Sequence, residues 1–125
     1  MTAAPARSRI PRLAWVYGAF CVPGAIVPWY FNLRHSFEQG ALLTIPDWFR
    51  AGFVSTLTGS ITTDFLIGTT PVLIWMVAEA RRLKMRNWPL YVVSTFLVAF
   101  AFSCPLFLMM REIRIQRLAD EARLA

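Results

Sequence analysis

Charge is missing from most of this chain: residues 13–33, 51–78 and 87–110 contain, between them, a single Asp, Glu, Lys or Arg, namely Asp64. The residues that usually carry out chemistry are scarce too, with one histidine, two cysteines and seven acids in 125. A lone His35 cannot supply a metal site. No hydrolase elbow, phosphate-binding loop, dinucleotide fingerprint, metal-ligand cluster or paired-cysteine motif is present. These absences argue against an enzyme, and no cofactor or metal is expected. The strict alternation of a half-buried strand is also missing, and the apolar runs are about twice the length of a membrane barrel strand, so an all-α fold is predicted.

What is present is apolar: 57% of the residues are hydrophobic, and the mean hydropathy is +0.50. Most of these residues sit in three blocks within one domain, a pattern that suits lipid better than a globular core. A helix needs about 20 apolar residues to cross a hydrocarbon layer roughly 30 Å thick, and only helices and closed barrels satisfy their backbone there. The expectation is an integral membrane protein with three transmembrane helices, over residues 13–33, 57–79 and 88–110. Arg7, Arg9 and Arg12 precede the first run as they would in a secretion signal. That run is longer than a signal core and contains Pro23, Pro28 and Trp29, so it is read as retained. Residues 1–11 form a basic N-terminal arm.

The net charge is +6. Its basic residues gather where the runs end, as Arg7, Arg9 and Arg12, then Arg81, Arg82, Lys84 and Arg86, then Arg111, Arg114 and Arg117. No nucleic-acid module accompanies them, so the partner they imply is a bilayer with anionic headgroups. Three crossings would put seven basic residues on the side of residues 1–12 and 81–86 and six on the other. The dense cluster after the second run places the N-terminus in the cytoplasm. With the first and third helices running in the same direction, Cys21 and Cys104 would differ in depth by about 10 Å, too far for a disulfide.

Helix 1 carries Ala14, Gly18, Cys21 and Ala25 at heptad-like spacing, a narrow small-residue face suited to close helix packing. Trp15 and Tyr17 near one end, and Trp29 and Tyr30 near the other, match interfacial aromatic belts. Residues 34–50 read as an interfacial segment, with Thr44, Pro46 and Asp47 spaced as a helix start. In helix 2, Ser60, Asp64 and Gly68 recur every four residues on one face, where Gly68 offers another close-packing point, and Pro71 interrupts the hydrogen-bond ladder. Residues 111–125 form an amphipathic basic tail. It carries Ile115, Leu118, Ala119 and Ala122 on one side and an Arg117/Glu121 pair, and suits a membrane surface or a partner.

Asp64 is the sharpest functional candidate, because a carboxylate at membrane depth costs about 2.5–3.5 kcal/mol and is kept for a reason. Arg34, Arg50 and Arg111 are expected on its side of the membrane as counter-charges. A site for a lipid, isoprenoid or pigment would combine Asp64, Ser60, Tyr30, Trp29 and Arg111; proton or ion movement through an oligomer is its variant. The plainer alternative makes Asp64 a packing anchor. Glu79 with Arg81 and Arg82, and Arg111 with Glu112, are read either as ordinary helix closure or as a hold on a headgroup or phosphate. The leading expectation is a non-enzymatic subunit that packs against other membrane proteins or itself.

Several motifs fall together between residues 15 and 114: Pro28-Trp29-Tyr30, Gly40, Asp64-Phe65-Leu66, Glu79 with Arg81-Arg82, and Pro105-Leu106-Phe107-Leu108 followed by Arg111-Glu112. In these the chain resembles a bacterial membrane family known as domain of unknown function 2834. The resemblance implies a small multi-helix membrane protein, and the bacterial inner membrane is its expected location. It assigns no activity and no catalytic residue, and the residues after Arg114 fall outside it.

Overall fold

A computed structural model describes residues 9–125, so most of the basic arm expected over residues 1–11 lies outside the described residues. The described residues form five helices and no strand: α1 (Arg12–Gln39), α2 (Ile45–Gly52), α3 (Thr56–Arg82), α4 (Trp88–Leu97) and α5 (Phe100–Leu124). Two of them, α1 and α3, are long and apolar enough to cross a membrane.

α1 runs further than its apolar content predicts. Pro28, Trp29 and Tyr30 lie inside it, and two more turns, carrying an Arg34–Glu38 ion pair of 2.7 Å, precede the stop at Gly40. Gly40 takes φ 66°, a left-handed conformation that glycine adopts without penalty. Residues 34–50 are therefore not one segment: the first six extend α1, and the rest lead into the separate helix α2. There the predicted start is present. Thr44 accepts from the backbone N–H of Asp47, whose carboxylate accepts in turn from Thr44. Those bonds from the Thr44 hydroxyl and N–H hold the Asp47 carboxyl below its ordinary range. A second capping box, Ser55 with Thr58, opens α3.

The third apolar run is not a single helix, which corrects the expected span over 88–110. α4 is only 10 residues, about 15 Å of rise. Ser94 and Thr95 turn their hydroxyls back onto the Tyr91 carbonyl, at 3.1 and 2.9 Å, a local bond that competes with regular helix. The chain then leaves the helix at Val98 and is extended at Ala99 (φ 179°, ψ 157°) before α5 begins. α5 continues through Met110 without interruption to Leu124, so residues 111–125 prolong it.

Side-chain contacts fix the directions of the helices. Phe65 meets Phe100 (6.2 Å between ring centroids), Trp75 meets Phe107 (5.7 Å), Glu79 bonds Arg111, and the Leu83 carbonyl accepts from Arg114. Both residue numbers rise together, so α3 and α5 are parallel. The 10-residue α4 descends antiparallel to them, and α4 and α5 form a hairpin that returns to the end it started from. α1 runs antiparallel to α5: Gly18 faces Met109, and Gly24 faces Ala101 and Phe102. α5 is thus central, with α1 on one side and α3 and α4 on the other, and α1 and α3 do not touch.

The core follows from this arrangement. Phe107, fully buried, is met edge-on by Trp75 and Tyr91 and packs with Met76 and Ala80. Thr95 and buried Ser103 share a hydroxyl hydrogen bond of 2.6 Å that ties α4 to α5. Pro105 cannot donate to the carbonyl of Ala101, and that carbonyl is the group laid against Gly24 of α1. A Cβ at Gly24 would sit 2.0 Å from it. Glycine is what allows α1 and α5 to approach here.

Reversing the last helix also revises two expectations. The Gly18/Met109 and Gly24/Ala101 register puts Cys21 level with residues 104–106, so Cys21 and Cys104 are not separated in depth as a parallel arrangement required. Both are free thiols, and the Cys21 Sγ donates to the Tyr17 carbonyl at 3.6 Å. Arg111, Arg114, Arg117 and Arg123 move to the end that holds Arg9, Arg12 and residues 81–86. Of the twelve described Lys and Arg residues, ten are at that end, and only Arg34 and Arg50 are at the other.

Candidate functional site

The hairpin brings the two most charged motifs of the chain into one cluster. Glu79 is buried in the last turn of α3, and both of its carboxylate oxygens accept hydrogen bonds. Arg82 donates to both, from Nε and Nη2, at 2.7 Å each. Arg111 of α5 donates to Oε1 from Nε at 2.8 Å, with its Nη2 also 2.8 Å away. Arg111 reaches Glu112 with Nη1 at 3.0 Å, and its guanidinium lies 5.9 Å from the centre of the Trp75 ring. Nearby, Arg114 Nε donates to the Leu83 carbonyl at 3.1 Å, and so caps α3 from a different helix. Arg81 stacks over Trp88 at 4.9 Å.

These bonds decide the chemistry. Three guanidinium bonds hold the Glu79 carboxylate in place and leave it at most one acceptor site, on Oε2, which faces no second titratable partner among the described residues. Among the described residues, no three His, Cys, Asp or Glu side chains group as metal ligands. The cluster is a fastening between α3 and α5: bidentate guanidinium–carboxylate geometry gives direction as well as strength, and Arg111 and Glu79 are both largely out of water.

Asp64 is exposed on α3 and, among the described residues, has no hydrogen-bond or ion-pair partner. Ser60 and Gly68 are also exposed, and a Cβ at Gly68 would meet open space. Trp29 and Tyr30 are exposed on α1, which does not contact α3. Arg111 is bonded to Glu79, fifteen residues or about 22 Å along α3 from Asp64. The five residues of the Asp64-centred set are therefore not brought together within one chain, and Arg111 is at the opposite end from the one expected. Of the small residues of α1, Ala14 is fully buried, Gly18 faces Met109, and Cys21 and Ala25 are half-buried; Gly24 makes the tightest approach.

Sequence reading missed the Glu79–Arg111 pair, although the signal was present. Two runs each ended in a carboxylate beside arginines, and pairing them across runs would have required the third run to fold back. The expected Arg117–Glu121 pair does not form within the described residues; one residue earlier, the Gln116 side chain donates to Asp120 at 3.0 Å.

The described residues form a small all-α protein of five helices, two of them long and apolar enough to cross a membrane, with one of these, α3, fastened to a short hairpin by a buried ion-pair cluster. The chain belongs to the family described as protein of unknown function DUF2834, whose model matches residues 16–113. That match contains both halves of the Glu79–Arg111 cluster. No curated protein and no solved structure matches the chain.

Proposed function

We propose that this is a non-enzymatic protein of the bacterial inner membrane that serves as a helix-packing subunit, completed in the bilayer by a neighbouring membrane protein or a second copy of itself. In this reading α1 and α3 cross the membrane, and the α4–α5 hairpin dips in from the basic face and returns. Both termini are cytoplasmic. The ten described basic residues at one end against two at the other support that orientation, because Lys and Arg near span ends are retained on the cytoplasmic side.

The observation that carries the packing role is the tip of the hairpin. Among the described residues, the carbonyls of Thr95, Phe96, Leu97 and Val98 accept no hydrogen bond, and the N–H groups of Phe100 and Ala101 donate none. The tip lies level with Gly24, twelve residues or about 18 Å from the start of α1. That is mid-depth in a bilayer, where each unmet backbone group costs several kcal/mol and irregular backbone survives only against protein or in a water-filled cavity. Phe96 and Leu97 flank this break and are 75% and 67% exposed in the single chain. Between the far halves of α1 and α3, where Asp64 also lies, the described residues offer nothing to cover them.

A spin label at Leu97→Cys, in a protein with Cys21 and Cys104 replaced by Ala, tests this in native-like membranes. The label is expected to be shielded both from oxygen dissolved in lipid and from an aqueous nickel chelate. Free access by lipid-phase oxygen would mean that the tip stands bare in the bilayer, which contradicts the proposal.

A further inference from the structure

Beside the entry to α1 is a cavity of about 260 Å³ lined by Arg9, Ile10, Pro11, Ile113, Gln116 and Arg117. We infer that it binds the phosphate of an anionic phospholipid headgroup. The inference rests on the membrane reading above but concerns a different part of the molecule from the hairpin tip.

The argument begins with which charges remain free at the basic end. Arg82 and Arg111 are neutralised by Glu79 and Glu112, and Arg114 is committed to the Leu83 carbonyl. Of the acids beside the cavity-lining residues of α5, Glu121 forms no ion pair with Arg117 among the described residues, Glu112 is held by Arg111, and Asp120 is engaged by Gln116. Arg9 and Arg117, by contrast, form no hydrogen bond or ion pair with any described residue, and they approach the same cavity from two different segments. Two arginines without an ion-pair partner among the described residues, lining one cavity from two segments, can serve as a receptor for a tetrahedral oxyanion, which each guanidinium can meet with paired N–H donors.

The rest of the lining selects an amphiphile. Ile10, Pro11 and Ile113 give the cavity an apolar wall, and Ile10 and Leu13 are 49% and 45% exposed, so this wall continues onto the outer surface of α1. Trp15, one turn further along and 67% exposed, is where an interfacial tryptophan meets headgroups. A phosphate seated between Arg9 and Arg117 would thus have its glycerol and acyl stems directed along apolar surface. Basic pockets on the cytoplasmic side of helical membrane proteins bind headgroups in this way.

The test measures retention of phosphatidylglycerol against phosphatidylethanolamine by the full chain, using native mass spectrometry of protein in zwitterionic micelles doped with each lipid. Wild type is expected to retain phosphatidylglycerol selectively. The double variant Arg9→Gln/Arg117→Gln should lose that retention by about tenfold or more, with its thermal midpoint in undoped micelles unchanged. A control with the same loss of charge at the same end, Arg86→Gln/Arg123→Gln, should keep it. Equal loss in both doubles would reduce the effect to net charge and overturn the site. Displacement of the lipid by inorganic phosphate at equal concentration would overturn the lipid assignment. A protein that needs micelles to stay folded but binds both lipids alike would refute this site alone, leaving the membrane reading intact.

Discussion

Gly24→Ala should be the most damaging single-methyl change in the chain, costing about 3 kcal/mol. The added carbon would lie 2.0 Å from the Ala101 carbonyl oxygen and 2.5 Å from its carbon, and both are backbone atoms that no rotamer change can move. The helices must separate, and with them goes the only helix–helix contact α1 makes among the described residues. Overpacking usually costs 1–3 kcal/mol, and a backbone clash puts this substitution at the upper end. Two other glycines give graded controls. At Gly18 the new methyl meets the Met109 sulfur at 3.0 Å, the end of a flexible side chain, so Gly18→Ala should cost less than about 1 kcal/mol. At Gly68 it meets nothing, so Gly68→Ala should stabilise α3 by roughly 0.5–1 kcal/mol through helix propensity. Thermal unfolding of the three variants in one detergent would establish the order; Gly24→Ala unfolding within a few tenths of a kcal/mol of wild type would refute the α1–α5 register.

Glu79→Gln is expected to cost about 3 kcal/mol, since removing one partner of a buried ion pair leaves the other uncompensated. Arg111 is the partner that matters, because only 23% of its side chain is exposed, whereas that of Arg82 is 65% exposed and can return to water. Arg82→Gln should therefore have little effect. Arg111→Gln should resemble Glu79→Gln, and the double variant should be less damaged than the sum of the two, because it leaves neither charge stranded. Denaturant unfolding of the four proteins would measure that coupling. Strict additivity would mean that the α3–α5 fastening carries no weight.

How far the fold could be read in advance depended on the range of the signal. Local signals were legible: the Thr44–Asp47 box and the helical character of all three apolar runs rest on interactions within a few residues. The end of α1 was not. Arg34 and Glu38 are polar, and a hydropathy reading stops before them, but their i,i+4 pairing carries the helix on to Gln39. The break at Val98 and Ala99 was hidden for a different reason. Residues 87–110 are long enough to cross a bilayer, and no glycine or proline marks the middle of the run. Its folding back is decided by tertiary contacts, namely Thr95 with Ser103, Phe107 between Trp75 and Tyr91, and Arg111 on Glu79. The same misreading of direction put Arg111 beside Asp64 and divided the basic residues almost evenly. With the hairpin in place, the charge pattern becomes lopsided, and the balanced count is seen to have come from one wrongly oriented helix.

That reversal is the claim on which the rest depends, and it predicts where the end of the chain lies. An activity reporter fused after Ala125, paired with one inserted in the Gly40–Leu43 turn, would locate the two ends of the molecule in the intact bacterial membrane. The hairpin requires the Ala125 fusion to report the cytoplasm and the turn insertion the periplasm. A periplasmic signal from Ala125 would mean that residues 88–110 cross the bilayer after all, and the account would fail.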